Sequence, residues 1–340
     1  MTTTTSATST ASTASSERLR LMAVVARLYY VHRLRQRDIA ERLGLSQARV
    51  SRVLQQAVEH GFVRTDVAVP VGLLPELEEE MERRYGLQEV HVVEVPPGTT
   101  DLAPVLGRAA AGYLVEAGIS GRTVGFTSWS TTLQAMASAL PDLPRSGTSH
   151  VVEMLGDLGS PALQHAAARS TQRLARVLGA EPVFLRTPGV AATPDLRRRA
   201  LEDPYVRRAV ELLDDLDVAF VGVGPVAVHS MLTPDDNYFS DAQLVRARVA
   251  GAVGQLDQRL LDAAGEPVVT ELDDLVVGAT LDQVRRAGRR VVVAGGASKL
   301  EAIAAALAGG WVDVLVVDLG TAQALATRTT DPLPTVAPAV

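Results

Sequence analysis

Short valine-rich segments alternate with helical segments through the larger part of the chain, from residue 87 onward. The valine-rich segments predict strands at 90–95, 123–127, 151–155, 182–185, 218–223, 291–294 and 314–317. Helical spacing predicts helices at 102–117, 130–140, 161–178, 203–214, 241–249 and 299–307. Strands this short and apolar, most of them followed by a helix, are typical of a mainly parallel sheet covered on both faces. We therefore predict a doubly wound α/β domain over residues 87–328.

The length and composition exclude several classes of protein. A chain of 340 residues has room for two domains, because single cores seldom grow past about 250–300 residues. The absence of cysteine excludes disulfides, thiolate nucleophiles and thiolate zinc sites. No apolar run approaches the roughly 18 residues of a membrane span. We expect a cytoplasmic protein, with disordered tails at residues 1–16 and 329–340, where bulky apolar residues are scarce.

Positive charge is concentrated in residues 17–69. This segment carries ten arginines and five acidic residues, and hence a net charge of +5. Because the whole chain carries −6, the remainder carries −11. A basic module joined to an acidic body favours a polyanionic partner for the module alone. An arginine-rich surface without such a partner is the alternative that charge by itself leaves open.

Residues 36–54 (QRDIAERLGLSQARVSRVL) carry the strongest local pattern. Ala40 is small where two helices approach closely, Gly44 allows a tight turn, and Ser46 can cap the next helix. This spacing predicts a helix-turn-helix whose second helix enters the major groove of DNA, rather than a helical hairpin with a solvated polar face. Arginine and glutamine can contact base edges, and serine can contact phosphates. The predicted DNA-binding residues are Gln36, Ser46, Gln47, Ala48, Arg49, Ser51 and Arg52.

Two elements follow this motif before the larger domain begins. Residues 62–69 alternate apolar and polar residues, which predicts a strand that forms a small wing or a connector. A glutamate-rich helix is predicted over Pro75–Tyr85 and ends at Gly86. We therefore assign residues 17–69 to a DNA-binding domain and residues 70–86 to a linker helix.

Four turns in the larger domain contain residues that suit a ligand. Residues 124–133 (VGFTSWSTTL) and 219–224 (AFVGVG) each run from a strand into a turn rich in glycine or hydroxyl groups. Free amides at a helix start bind phosphate or polyol oxygens, although capped turns and close packing explain the same residues. In residues 251–257 (GAVGQLD), Asp257 could accept hydrogen bonds from sugar hydroxyls or could cap a turn.

The fourth turn, residues 294–303 (AGGASKLEAI), contains Lys299, the only lysine of the chain. A compact ammonium beside free amides is suited to anchor a phosphate. A chance surface lysine is one alternative. Schiff-base chemistry is another, but Lys299 would have to perform it alone.

In chain order, the motifs of both parts resemble those of the sorbose-operon (SorC/DeoR-like) family of sugar-binding transcriptional regulators. The resemblance covers about residues 20–327 and includes residues 308–318 (AGGWVDVLVVD). It implies an α/β fold related to sugar-phosphate isomerases, a tetramer of paired dimers, and a phosphorylated sugar or polyol as effector. Thr131 stands where many relatives have a basic residue, so one phosphate contact is absent. The implied effector-binding residues are Thr127, Ser128, Trp129, Thr131, Thr132, Gly222, Gly224, Asp257 and Lys299.

A sugar-phosphate isomerase is the alternative function. It would need a general acid and base beside the sugar, whereas the six histidines show neither catalytic nor metal spacing. His229, Asp235 and Asp236 form the only cluster in the larger domain and are more typical of a solvated loop. We predict a homo-oligomeric regulator of a carbohydrate-utilisation operon. It binds double-stranded operator DNA and a small effector, and has no catalytic activity, cofactor or metal.

Overall fold

The computed structural model describes residues 7–63, 74–118, 123–142, 147–228, 232 and 237–328. The chain divides into two compact units, Met1–Val69 and Pro70–Val340. Helices make up the described part of the first unit: α1 (Ala7–Ala26), a π-helical turn (Arg27–Val31), α2 (Gln36–Leu43) and α3 (Gln47–Glu59). Their apolar faces enclose one small aliphatic core, in which Val25, Ile39 and Val50 have no exposed surface.

Helix α1 differs from the sequence prediction at its start. It begins at Ala7, inside the segment 1–16 that we expected to be disordered. Alanine has the highest helix propensity, and extending an existing helix costs far less than starting one, so this alanine-containing segment continues the buried helix that follows it. Most of the strand predicted at 62–69 lies outside the described residues, as does the tail 329–340.

The second unit is built on a parallel sheet of seven strands. In chain order these are β1 (Glu89–Val93), β2 (Thr123–Phe126), β3 (His150–Glu153), β4 (Glu181–Val183), β5 (Val218–Val221), β9 (Arg289–Val293) and β10 (Val314–Asp318). Their order in the sheet is β1-β10-β9-β5-β2-β3-β4, and every pairing is parallel. A second, antiparallel sheet consists of β6 (Val223–Pro225), β7 (Gly254–Leu256) and β8 (Arg259–Leu261).

Helices cover both faces of the large sheet. The described helices of the second unit are α4 (Pro75–Tyr85), α5 (Ala103–Ala117), α6 (Thr131–Ala139), α7 (Pro161–Leu178), α8 (Pro194–Glu202), α9 (Pro204–Leu212), α10 (Asp241–Val249), α11 (Leu281–Arg286), α12 (Leu300–Ala308) and α13 (Leu319–Thr327). Along β10, Val314 and Val316 pack in one hydrophobic core, whereas Leu315 and Val317 pack in another. Successive side chains of a strand point to opposite faces, so both faces are buried. The predicted doubly wound α/β fold is confirmed.

Several elements of the second unit were not predicted, for local reasons. The strands β6, β7 and β8 have three residues each, which is too short to show alternation. Helix α8 has only three apolar residues after Pro194 and none of them is buried, and α11 has only six residues. Helix α13 was also missed, because it follows β10 without an intervening turn.

Helix α4 packs within the second unit, whereas we expected residues 70–86 to form a linker. Its Met81 has no exposed surface. Its Glu78 accepts a hydrogen bond of 2.8 Å from the backbone N–H of Val92. Because β1 lies at the edge of the sheet, this carboxylate satisfies an amide that has no neighbouring strand on that side. The helix therefore belongs structurally to the larger unit.

Candidate functional site

The turn between α2 and α3 has the geometry of a helix-turn-helix. Gly44 ends α2 with a positive φ of 63°, and its N–H bonds to the carbonyl of Ala40. The Ser46 side chain caps α3 by accepting a hydrogen bond of 3.2 Å from the Arg49 N–H. Ala40 is buried between the helices. The roles that the motif assigned to these small and polar residues are therefore the ones they have in the structure.

Most of the predicted DNA-binding residues lie together at the start of α3. Those with exposed side chains are Ser46, Gln47, Ala48, Arg49, Ser51 and Arg52. Gln36 differs from them, because it is half-buried and begins α2 instead. The structure therefore groups six of the seven predicted residues on one exposed surface.

A groove of about 660 Å³ beside α3 contains a residue that the motif did not indicate. Its lining includes Arg18 of α1 together with Arg49 and Arg52 of α3. In the described part of the chain, none of these three arginines forms an ion pair. One carboxylate, that of Glu17, also lines the groove, so its net charge is +2, which favours an anionic partner. Arg18 was missed because it lies on another helix, and only the local excess of arginine could have indicated it.

In the second unit, β2 and β5 are adjacent strands from which the chain departs in opposite directions. After β2 it continues to β3 and β4, and after β5 it continues to β9 and β10 on the other side. Open α/β sheets bind ligands at the carboxyl ends of the strands where the order reverses in this way. Thr127 follows β2 and Gly222 follows β5, so both lie at this point.

A cavity of about 390 Å³ opens at this point of the sheet; we call it the effector cavity. Seven of the nine predicted effector-binding residues line it, namely Thr127, Trp129, Thr131, Gly222, Gly224, Asp257 and Lys299. Ser128 and Thr132 do not line it; both are buried elsewhere in the protein, with 1% and 4% of their surface exposed. The structure thus brings together residues from four separate turns.

Asp257 lies at the tip of the hairpin formed by β7 and β8. Asp257 and Gln258 have φ values of 44° and 68°, which is typical of a two-residue hairpin turn. The N–H of Asp257 donates to the carbonyl of Gly222 at 3.2 Å, and its Oδ1 lies 2.6 Å from the Thr127 hydroxyl. A side chain at position 222 would place its Cβ 2.7 Å from the Thr127 methyl carbon, so this contact requires glycine.

The Asp257 carboxyl group can gain or lose a proton near neutral pH. Burial raises the pKa of Asp257 to about 7, against the opposing effect of its hydrogen bonds and of Arg259. The Thr127 hydroxyl has one proton but lies within hydrogen-bond distance of both Phe220 O (3.0 Å) and Asp257 Oδ1 (2.6 Å). A protonated Asp257 can donate to Thr127, which then donates to Phe220. An ionised Asp257 instead accepts from Thr127.

Lys299 supplies the positive charge of the effector cavity, since no other described lining residue is basic. Burial lowers the pKa of Lys299, and no carboxylate of the described residues forms an ion pair with its ammonium. The turn before it is held in place by Gly296, whose N–H donates to Asp318 Oδ1 and to Thr321 Oγ1, both at 2.8 Å. The ammonium is therefore a half-buried cation without a counter-ion in the part of the chain that the structure describes.

Three acceptor oxygens of the lining residues are buried and have no hydrogen-bond partner among the described residues: Gln255 Oε1, Asp257 Oδ2 and Gln258 Oε1. An unsatisfied buried acceptor costs about 1–3 kcal/mol, so a ligand that donates to it recovers this energy. The two glutamines and Tyr238, which also lines the cavity, were not predicted as site residues. The sequence offered only a weak signal for them, because Gln255 and Gln258 flank Asp257 without belonging to a motif.

The described residues show neither a metal site nor a membrane span. No group of three or more histidine, aspartate or glutamate side chains among them could hold a metal ion. Within the same ranges, no helix combines the length and apolar character needed to cross a bilayer. His229, Asp235 and Asp236, which we interpreted as a solvated loop, lie outside the described residues.

Comparison with protein families identifies both parts of the chain. A model described as "Putative sugar-binding domain" matches residues 70–327, and a model of the IclR helix-turn-helix domain matches residues 30–67. The deoxyribonucleoside regulator of Bacillus subtilis (strain 168) is 32% identical over 310 residues, which cover 91% of this chain and 98% of that protein. The transcriptional regulator LsrR of Escherichia coli O139:H28 (strain E24377A / ETEC) is 30% identical over 313 residues, covering 89% and 93%.

Solved structures agree with this assignment. The full-length sorbitol operon regulator SorC from Klebsiella pneumoniae has the same fold, with a TM-score of 0.68 and 24% identity over 92% of this chain and 100% of that chain. The sugar-binding domain of the transcriptional regulator DeoR from Pseudomonas syringae pv. tomato gives a TM-score of 0.58 and 31% identity over 75% and 99%. The chain is therefore a transcriptional regulator rather than an enzyme, and it belongs to the SorC/DeoR family of sugar-binding transcriptional regulators.

Proposed function

We propose that this regulator controls a carbohydrate-utilisation operon and that its effector is a small phosphorylated sugar or polyol bound in the effector cavity. The observation that carries the proposal is the combination of groups in that cavity. Among the described residues, one ammonium has no counter-ion and three buried oxygens have no hydrogen-bond donor. A polyol phosphate supplies an anion for the first and hydroxyl donors for the others. The cavity volume of about 390 Å³ is within the range of small-molecule sites.

Each part of the effector has a group to bind it. The Lys299 ammonium binds the phosphate, assisted by the hydroxyl groups of Ser298 and Thr131, which line the same cavity. Helix α6 begins at Thr131, so its first amides add to the positive potential there. Asp257 accepts hydrogen bonds from sugar hydroxyls through Oδ2, because Oδ1 is already engaged by Thr127.

The first unit of the chain binds operator DNA in this proposal. In this proposal α3 enters the major groove, where Gln47, Arg49 and Arg52 contact base edges and Ser46 contacts a phosphate. Arg18, on the other side of the groove beside α3, binds the DNA backbone. We propose that the protein acts as a homo-oligomer, either a dimer or a tetramer of paired dimers, on a palindromic operator.

Hydrogen bonds connect the Lys299 turn to helix α4, which precedes the second unit's sheet in the chain. The Gly296 N–H bonds to Asp318, and Asp318 also caps α13 by accepting from the Thr321 N–H at 2.9 Å. At the other end of α13, the Leu325 carbonyl accepts from the Tyr85 hydroxyl of α4 at 2.9 Å. We propose that effector binding moves the Lys299 turn and, through these hydrogen bonds, α13 and α4. This movement favours one arrangement of the oligomer.

Calorimetry on the full-length protein tests the effector. The ligands are sorbitol 6-phosphate, glucose 6-phosphate and ribose 5-phosphate, each compared with its dephosphorylated form. We expect at least one phosphorylated member to bind more tightly than its dephosphorylated form. Lys299→Met should weaken that binding about 10- to 100-fold, because a charge-assisted hydrogen bond contributes about 1.5–3 kcal/mol. Operator binding should be unchanged in this variant.

Arg169→Met is the matched control, because it removes one exposed positive charge from the same unit. Equal phosphate affinity in Lys299→Met and in the wild type would contradict the role of Lys299. If none of the phosphorylated ligands bound to the wild type, the proposed effector class would be wrong.

A further inference from the structure

Helix α10 carries apolar residues on two faces. Leu244 and Ala247 are buried in a hydrophobic core of the second unit. Ala242, Val245 and Val249 follow one another at spacings of three and four residues on the exposed side, where Val249 has 84% of its surface accessible. A helix that is apolar on both sides is typical of one that packs on both sides. Within the described residues, only the side of Leu244 and Ala247 is covered.

Exposed apolar side chains of the second unit are concentrated around this helix. Among the described residues of the unit, seven large apolar side chains are exposed, namely Val115, Leu196, Tyr205, Val228, Val245, Val249 and Val269. Four of the seven lie on α10 or on two segments bonded to it, residues 226–228 and 267–271. We call α10 together with these two segments the α10 surface. Clustered apolar side chains at a surface mark an interaction site.

Two arginines of α10 bind the neighbouring segments. The Arg248 guanidinium donates to the carbonyl of Val226. The Arg246 guanidinium donates twice to Glu271 Oε1, at 3.0 and 3.2 Å. Because both guanidinium groups are engaged with these segments, the apolar side chains of α10 remain uncovered.

The two ends of α10 carry opposite charges. Asp241 lies in the first turn and Arg248 in the last, and both are exposed. Neither forms an ion pair in the part of the chain that the structure describes. They are seven residues apart, or about two helical turns, so both lie on the side of Val245. A second α10 packed antiparallel would bring Asp241 of each copy to Arg248 of the other. The helix is therefore complementary to itself about a two-fold axis, as an isologous contact requires.

We propose that the α10 surface is an isologous contact with a second copy of this chain, in which two α10 helices pack antiparallel around Val245. This inference rests on the homo-oligomer of the proposed function and assigns one of its contacts. A second copy is favoured because α10 itself supplies both the apolar side chains and the two members of the charge pair. Ala227 and Val228 of the same surface also line the effector cavity, so the contact borders the site of the proposed effector.

Crosslinking of the full-length protein tests the contact, because the chain has no cysteine of its own. Val245→Cys, treated with a short bis-maleimide, should give a covalent dimer as the main species on a denaturing gel. Leu196→Cys is the matched control. Leu196 is 49% exposed and Val245 is 48% exposed, but Leu196 lies on α8, outside the α10 surface. The inference is overturned if Val245→Cys gives no covalent dimer, or if both variants give the same yield.

Sedimentation velocity measures the strength of the contact. Val245→Glu places a carboxylate at the centre of an apolar contact, so the dissociation constant for self-association should rise about 10-fold or more. Asp241→Arg should also weaken self-association, because it brings like charges together. Leu196→Glu should leave the wild-type value unchanged.

The wild-type measurement separates this inference from the proposed function. A wild-type oligomer that Val245→Glu leaves unchanged overturns the assignment of the contact but not the proposed homo-oligomer. A wild type that stays monomeric at every concentration overturns the proposed homo-oligomer, and this inference with it. Val245 does not line the effector cavity, so the test of phosphate binding at Lys299 is independent of both results.

Discussion

The charged groups around helix α3 are exposed to solvent, whereas those of the effector cavity are half-buried or buried. Around α3, Arg18, Arg49 and Arg52 are exposed and form no ion pair within the described residues. The effector cavity is lined by a single half-buried ammonium, that of Lys299, and by the buried carboxyl group of Asp257. Exposed charges act over long distances and are screened by salt, whereas buried groups act at short range and depend on exact partners.

In the proposed function, this difference allows one chain to recognise two unlike ligands. DNA presents a repeating row of phosphates, so several exposed arginines bind it, and salt weakens the complex. A small effector presents few groups, so discrimination depends on buried acceptors that must each find a donor. We therefore expect substitutions at α3 to change affinity for DNA, and substitutions in the cavity to change the pH dependence and selectivity of the effector domain.

The largest expected effect concerns α3. Replacing Arg49 and Arg52 together by alanine should weaken operator binding about 100-fold or more, because each base contact contributes about 1–3 kcal/mol. The measurement is fluorescence anisotropy at fixed salt, with an operator duplex selected from a random library. Arg20→Ala is the control, since it removes an exposed arginine of α1 that does not line the groove. Wild-type affinity in the double variant would show that another surface reads the DNA.

A smaller effect is expected for the pH dependence of stability. Burial raises the pKa of Asp257 from 3.8 to about 7, so the folded state binds this proton more tightly than the unfolded state. The resulting stabilisation is fully present below pH 3.8 and is lost as the pH rises through about 7. Asp257→Asn has no ionisable group there, so its free energy of unfolding relative to the wild type should increase between pH 5 and pH 8.

Urea denaturation at pH 5 and pH 8 measures this difference. The exposed Asp282→Asn controls for the general loss of a carboxylate. If the difference between Asp257→Asn and the wild type were the same at both pH values, the buried carboxyl group would not titrate in this range.

The helix-turn-helix and the effector cavity also differ in how much of each could be predicted from the sequence. The helix-turn-helix was predictable because Ala40, Gly44 and Ser46 lie close together in the chain and have fixed local roles. The large sheet was predictable because its strands are short, valine-rich and buried. The antiparallel sheet was not, since three-residue strands show no period.

The effector cavity was predicted only in part, because tertiary contacts assemble it. Motifs and family resemblance indicated Thr127, Asp257 and Lys299, which lie on separate turns. Nothing local indicated Tyr238, which lines the cavity and accepts a hydrogen bond from Gln255 of a distant hairpin. Ser128 and Thr132 belong to the right turn, but their side chains are buried away from the cavity.

The central claim is that effector binding in the cavity changes the affinity of the protein for its operator. Anisotropy titrations of the operator, with and without a saturating phosphorylated ligand identified by calorimetry, measure this coupling directly. We predict a change in operator affinity of about 5-fold or more in the wild type, corresponding to at least about 1 kcal/mol, and none in Lys299→Met at the same ligand concentration. An unchanged operator affinity in the wild type, under conditions where calorimetry shows the ligand bound, would contradict the claim.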